Sequence, residues 1–185
     1  MRRCLPVACV LVLTAGCSPK ADAPKSGGQA VAATVSEAHV SATSDIAAGR
    51  YLVVVGGCND CHTPGWAKSN GAMPEAGWLV GNPVGRKGPW GTTYAQNLRL
   101  LPANVSEDDF VAMLRTRKDR PPMPWMNLNR VQESDARAIY RFIRSLGPSG
   151  EAMPPGLPPG EEPATPYMDS ATRYPPKGAV SQGTP

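Results

Sequence analysis

The feature that most constrains this chain is the pentapeptide Cys58-Asn59-Asp60-Cys61-His62, which reads C-x-x-C-H. Two thiols at this spacing can each form a thioether with one vinyl group of a haem, and the adjacent histidine can then bind the iron from the same face. This is the sequence signature of c-type haem attachment. We therefore predict one covalently bound haem c, held by Cys58 and Cys61, with His62 as an iron ligand.

Three other interpretations of the pentapeptide are less favoured. A zinc site usually has a second pair of Cys or His ligands, and the only other histidine is His39. A thioredoxin-like dithiol begins a helix that follows a strand, whereas this pair follows a predicted helix and the break at Gly56-Gly57. A chance match is the third alternative, and the export signal described next argues against it.

The amino terminus has the pattern of a secretory signal. Met1-Arg2-Arg3 is basic, and the apolar run at residues 5–15 is shorter than the roughly 20 residues that cross a bilayer. The run ends in Leu13-Thr14-Ala15-Gly16-Cys17, which resembles a bacterial lipoprotein processing site, with Thr14 where Leu is usual. We therefore predict a signal peptide at residues 1–16.

Processing at this site would make Cys17 the lipidated first residue of the mature protein. Such a protein is anchored to a membrane without spanning it. The prediction is a periplasmic location on a bacterial membrane, with the outer membrane slightly favoured by Ser18. The alternative is ordinary signal cleavage beside a chance cysteine.

Composition divides the remaining chain into three parts. Residues 17–43 contain no Leu, Ile, Phe or Trp and cannot bury enough apolar surface to order themselves, so they predict a disordered tether. Residues 44–147 predict the compact domain. In residues 148–185, 10 of the 38 positions are Pro, which predicts an extended or disordered tail.

Within residues 44–147 the apolar periodicity predicts helices separated by long loops, and hence an all-α domain. The first helix begins at Ser44-Asp45, the second at Ser106 and the last at Glu133 or Ser134. The second is expected to run to about Lys118 and the last to Leu146. Residues 63–102 read as a loop, and a loop of that length in a compact domain is unusual unless it wraps around a large apolar cofactor.

A haem that only transfers electrons needs a second axial ligand, and a methionine thioether raises its reduction potential. Met123 and Met126 both lie in a Pro-containing loop before the last helix. We prefer Met123, which stands between Pro122 and Pro124, and keep Met126 as the alternative.

The order of these elements resembles the class I c-type cytochromes, an all-α fold of helices and long loops around one covalently bound haem. The resemblance covers residues 44–147. Within it, Trp90-Gly91-Thr92-Thr93-Tyr94-Ala95-Gln96-Asn97-Leu98 and Pro121-Pro122-Met123-Pro124-Trp125 are similar to the haem domains of bacterial cytochrome c subunits that serve alcohol, aldehyde and gluconate dehydrogenases. Such subunits often hold three haem domains, whereas this chain has a single motif.

The resemblance implies roles for individual residues. Met123 matches the distal iron ligand, and Trp90, Tyr94 and Asn97 match positions that line the haem pocket. A proline that supports the proximal histidine would be Pro64 or Pro89. The resemblance also places Gly49 and Tyr140 where the first and last helices cross.

The function expected from these features is one-electron transfer, without enzymatic activity or a small-molecule substrate. The partner would be a membrane-associated dehydrogenase or a terminal oxidase. The alternatives are a haem-anchoring subunit of a larger dehydrogenase complex and, less favoured, a peroxidase or gas-binding haem sensor. The formal net charge of +4 does not suggest a nucleic-acid partner. A basic cluster at Arg115, Arg117, Lys118 and Arg120 is either a docking patch, a set of haem propionate neighbours or a solvated helix face.

Overall fold

The main helices begin at the capping residues that the sequence marks. The computed structural model describes residues 40–174. The Ser44 hydroxyl accepts a hydrogen bond from the backbone of Ala47 and caps helix α1 (Asp45–Val55). The Ser106 hydroxyl caps helix α3 (Glu107–Thr116) in the same way. These two starts confirm the prediction, although α3 ends before Lys118.

The last long helix and the shorter elements complete the described part of the chain. Helix α5 (Glu133–Ser145) starts at the first of its two predicted positions. The remaining elements are helix α2 (Cys58–His62), helix α4 (Trp125–Leu128), 3-10 helices at Glu75–Gly77 and Leu98–Ala103, and strands β1 (Asn82–Gly88), β2 (Gly91–Ala95) and β3 (Tyr167–Asp169).

The core forms where α1 crosses α5, and the crossing needs a glycine. A Cβ atom on Gly49 would lie 2.0 Å from the carbonyl oxygen of Ala138 and 2.8 Å from the Cβ of Phe142. Positions 138 and 142 are one turn apart and share a face of α5. The expectation that Tyr140 faces Gly49 is therefore wrong, because Tyr140 lies on another face and donates a hydrogen bond to the Val105 carbonyl at 2.8 Å.

A three-stranded sheet corrects the predicted all-α fold class. Strands β1 and β2 form an antiparallel hairpin, and β3 pairs in parallel with the other side of β1. About 39% of the described residues are helical and about 12% are in strands, so the fold is mixed. Half of the predicted 63–102 loop is thus a hairpin and a 3-10 helix, whose backbone groups bond to one another and to the tail.

The Pro-rich segment after α5 lies along this hairpin. Leu157 and Thr92 exchange two backbone hydrogen bonds, each 2.9 Å long. The backbone of Gly85 donates to the Pro166 carbonyl at 2.8 Å, just before β3 begins. The described part of the predicted tail is therefore extended along the sheet, and residues 175–185 lie outside the described range.

Several predictions concern residues outside that range. The signal peptide at residues 1–16, the lipidation of Cys17 and most of the tether at 17–43 fall before residue 40. Across residues 40–174, the structure contains no helix with the length and apolarity needed to span a bilayer.

An ion-pair network joins α1, α3 and α5. Arg137 contacts Glu133 at 2.8 Å, Asp108 at 2.7 Å and Glu107 at 3.2 Å. Arg141 binds Glu107 at 2.8 Å and also reaches Asp45 on α1. Hydrogen bonds from Arg141, with a further one from Arg137, hold the pKa of Glu107 below its usual value of 4.5.

We expect Glu107→Gln to destabilise the protein by about 1 kcal/mol at neutral pH, the range of a partly exposed ion pair. A depressed carboxyl pKa stabilises the fold above the unfolded-state pKa, and this contribution is lost as the pH falls through the folded-state pKa. Urea unfolding of the variant and the wild type should therefore converge below about pH 4. The control is Glu161→Gln, since the exposed Glu161 has no ion pair within residues 40–174. Equal stability of both variants at pH 7 would contradict this account.

Candidate cofactor site

The two cysteines of the C-x-x-C-H motif lie on the short helix α2. Gly57 starts this helix with a φ of 68°, a left-handed conformation that glycine adopts at little cost. Both thiols are free and half-buried. Burial raises the pKa of the Cys58 thiol to about 11. The reactive thiol of a redox dithiol has a lowered pKa, because it lies in electropositive surroundings. The raised pKa of Cys58 therefore argues against the thioredoxin-like interpretation of the motif.

The imidazole of His62 is held in one tautomer. The ring is 6% exposed, and Nδ1 lies 2.7 Å from the backbone carbonyl oxygen of Gln96. A carbonyl oxygen only accepts, so Nδ1 carries the proton and Nε2 keeps its lone pair. Nε2 has no hydrogen-bond partner within the part of the chain that the structure describes. Burial lowers the pKa of His62, which favours the neutral imidazole that binds metals.

Backbone and side-chain bonds fix α2 against the following loop. The Thr63 hydroxyl donates to Asn59 Oδ1 at 2.7 Å and accepts from the backbone of Leu79 at 2.9 Å. The backbone of Gly81 donates to the carbonyl of His62 at 2.9 Å. The histidine is thus held through its ring and through its backbone, which fixes the direction of Nε2.

The two candidate methionines differ in exposure. Met123 is half-buried, whereas Met126 is 71% exposed on the surface of α4. The Thr93 hydroxyl donates to the carbonyl of Pro121 at 2.8 Å and ties the loop before Met123 to strand β2. Of the two side chains, Met123 is therefore the less exposed.

Strand β2 and the residue that follows it connect the two predicted ligand segments. Thr93 binds Pro121, in the loop before Met123, and Gln96 binds the ring of His62. These anchor points are three residues apart, roughly 10 Å along an extended chain. The hairpin missing from the sequence prediction therefore anchors both predicted ligand segments at points close together along one strand.

The three predicted pocket residues have different surroundings. The hydroxyl of Tyr94 lies 2.8 Å from that of Thr165 in the tail. Asn97 donates through Nδ2 to the carbonyls of Ser149 and Glu151, at 2.8 and 3.0 Å. The polar atoms of Tyr94 and Asn97 therefore hold the C-terminal segment, and only Trp90 keeps an unused donor.

Two buried indole N–H groups lack acceptors. Nε1 of Trp90 and Nε1 of Trp125 have no hydrogen-bond partner within residues 40–174. A buried donor without an acceptor is costly, and such cases usually mark a bound group or water. Trp125 directly follows Pro121-Pro122-Met123-Pro124, and the carbonyl of Trp90 accepts a hydrogen bond from Arg120, just before that segment, at 3.2 Å. Carboxylates, such as the two propionates of a haem, are acceptors of the kind that indole donors bind.

A set of apolar side chains borders the central core. They are only partly buried, although they pack against the central core: Leu52, Trp66, Met73, Leu98, Leu101, Met113 and Leu128. Partly buried apolar groups of this size favour an apolar ligand, because covering them removes them from water. These side chains are therefore candidates for contact with an apolar cofactor.

The basic cluster is largely committed within the chain. Arg115 pairs with Glu133 at 3.4 Å, and Arg117 pairs with Asp119 while its guanidinium lies 4.9 Å above the ring of Trp125. Arg120 donates to backbone carbonyls, as described below. Within the described residues only Lys118 of this cluster has no partner. The paired side chains of Arg115 and Arg117 are still about half exposed, and the three interpretations of the cluster stay predictions.

Two contributors to the site were missed from the sequence. The support of His62 comes from Gln96, not from Pro64 or Pro89, and a backbone carbonyl leaves no signal in residue type. The second is Trp125, which directly follows Pro124 in the segment that suggested Met123. That position in the sequence could have indicated that Trp125 lies near the site.

Comparisons with protein-family models, with curated proteins and with solved structures found no match to this chain. The described residues also contain no group of three or more His, Cys, Asp or Glu side chains arranged to hold a metal ion.

Proposed function

We propose that this protein is a c-type cytochrome that transfers single electrons in the periplasm. One haem c would be attached to Cys58 and Cys61, with His62 and Met123 as its axial ligands. The observation that carries the proposal is the state of His62 inside the C-x-x-C-H motif. Its ring is buried and neutral, Nδ1 donates to Gln96, and Nε2 is left with a free lone pair.

The haem would supply a ferrous–ferric couple, and the chain's residues would set the conditions for it. Gln96 fixes the ring of His62 and makes Nε2 a stronger donor, as second-shell carbonyls do for metal-binding histidines. As an axial ligand, the Met123 thioether would favour the ferrous form and raise the potential. Trp90 and Trp125 would bind the propionates, and the partly buried apolar side chains beside the core would exclude water.

The proposed role is that of an electron carrier with a protein partner. Residues 44–147 contain 13 Lys and Arg against 9 Asp and Glu. This surplus favours a partner with an acidic docking surface, through steering more than through tight binding. A membrane-associated dehydrogenase or a terminal oxidase is the proposed partner, and a lipid on Cys17 would keep the domain near it.

The test is a spectroelectrochemical titration of the exported protein. We expect one reversible one-electron transition, and in the oxidised form the weak far-red absorption of methionine bound to ferric iron. The double variant Cys58→Ser, Cys61→Ser should contain no covalent haem. An oxidised haem without the far-red band, whose reduced form binds carbon monoxide at once, would contradict electron transfer and favour a peroxidase or gas sensor.

A further inference from the structure

The C-terminal segment contacts the part of the hairpin that holds the predicted ligands. We define the strap as residues 149–169 and the methionine loop as residues 117–124. The strap bonds to Asn97 at its start and to Thr92 through Leu157, and it ends in strand β3. It thus runs along the hairpin from the 3-10 helix side to the outer edge of β1.

The side chain of Arg120 lies where the methionine loop, the hairpin and the strap meet. Its Nη1 donates to the Leu157 carbonyl of the strap at 2.6 Å and to the Trp90 carbonyl of the hairpin at 3.2 Å. Arg120 has no carboxylate partner among residues 40–174, so its charge is directed at these carbonyls. Hydrogen bonds from a charged donor are stronger than those between neutral groups.

The strap leaves space for this guanidinium at a glycine. A Cβ atom on Gly156 would lie 2.8 Å from Nη2 of Arg120 and 3.0 Å from the carbonyl oxygen of Thr92. Any larger residue at position 156 would push the guanidinium from its carbonyls. The next residue of the loop, Pro121, is held by the Thr93 hydroxyl at 2.8 Å. Two consecutive residues directly before Pro122-Met123 are therefore fixed to the hairpin, and one of them also to the strap.

From these contacts we propose that Arg120 is a positioning residue that, through the strap, keeps the methionine loop closed and Met123 on the iron. This inference rests on the proposed function, because it takes Met123 as the axial ligand. The strap would act as a brace: when the Arg120 bonds break, the loop opens more often and the sixth position becomes accessible to other ligands.

Two variants disrupt the hydrogen bonds of Arg120, one in the methionine loop and one in the strap. Arg120→Met removes the donors and keeps the length of the side chain. Gly156→Ala keeps the arginine and displaces its guanidinium. The matched control is Arg115→Met, which removes an arginine that pairs with Glu133 and makes no contact with the strap among the described residues.

Two measurements on the full-length protein decide the proposal. The first is imidazole binding to the oxidised protein, followed by loss of the far-red band. We expect it to be roughly threefold to tenfold faster in both variants than in the wild type, the range of one intramolecular hydrogen bond, since Arg120 is exposed. The second is amide hydrogen exchange, which we expect to be faster in peptides covering the methionine loop and residues 149–157. Arg115→Met should match the wild type in both.

The exchange measurement separates this proposal from the proposed function, because it needs no ligand on the iron. If amide hydrogen exchange in both variants is as slow as in the wild type, then the Arg120 hydrogen bonds do not hold the methionine loop closed. Faster exchange with unchanged imidazole binding would overturn the positioning of Met123. If the wild type carries haem but lacks the far-red band, the ligand assignment fails, and with it the role of Arg120, even where the exchange results show a brace.

Discussion

Replacing Met123 by Leu is expected to abolish the far-red absorption of the oxidised protein and to lower its midpoint potential. Leucine has a similar volume, so the half-buried position stays filled while the sulfur ligand is lost. The thioether stabilises ferrous iron, and its loss should lower the potential by on the order of 0.1–0.2 V, within the ~0.8 V that axial ligands span. Redox titration with optical detection measures both changes.

The control for this variant is Met126→Leu. Met126 is three residues away in the same segment, and its side chain is 71% exposed. We expect Met126→Leu to keep the far-red band and the wild-type potential. The reverse pattern, with the band lost in Met126→Leu and kept in Met123→Leu, would show that the ligand assignment is wrong.

The second large effect is expected on stability, from Gly49→Ala. In an exposed helix, replacing Gly by Ala stabilises by about 1 kcal/mol. Here the added methyl would lie 2.0 Å from the Ala138 carbonyl oxygen, which is backbone and cannot rotate away. The helices α1 and α5 would have to separate, and we expect a loss of about 2–4 kcal/mol in the free energy of unfolding.

Urea unfolding monitored by circular dichroism measures this loss. Val54→Ala is the control on the same helix, because Val54 is partly exposed and its shortening should change the free energy by no more than about 0.5 kcal/mol. If Gly49→Ala proves as stable as the wild type, then the two helices do not cross as closely as the structure places them.

The helices could be predicted because their signals are local. Ser44 and Ser106 each stand beside the backbone N–H groups they cap, and the apolar stripe of α5 repeats within its own length. The break at Gly56-Gly57 likewise marks the start of α2, where Gly57 adopts a left-handed conformation. Such features depend on a few neighbouring residues, so the sequence carries them directly.

The sheet was missed because most of what forms it is not local. Strand β1 contains Pro83, Gly85 and Gly88 and shows no alternation of apolar and polar residues. Its second partner, β3, comes from a Pro-rich segment more than 75 residues away in the chain. One local signal was available: the Gly88-Pro89 turn, followed by the β-branched and aromatic run Thr92-Thr93-Tyr94, is typical of a hairpin.

The candidate site also combines local features, which the sequence shows, with long-range contacts, which it does not. The C-x-x-C-H motif specifies its own chemistry, so Cys58, Cys61 and His62 could be chosen from five adjacent residues. The partners of Tyr94 and Asn97 come from the tail, and only the folded chain shows that their polar atoms hold it. The buried indole donors left without a partner among the described residues are those of Trp90, which was predicted to line the pocket, and Trp125, which was not.

The measurement that tests the central claim most directly is mass spectrometry of the protein purified from its host. We expect the proteolytic peptide that contains residues 58–62 to carry the mass of one haem through two thioether bonds. Recovery of that peptide without an adduct, with both thiols open to alkylation, would contradict the claim.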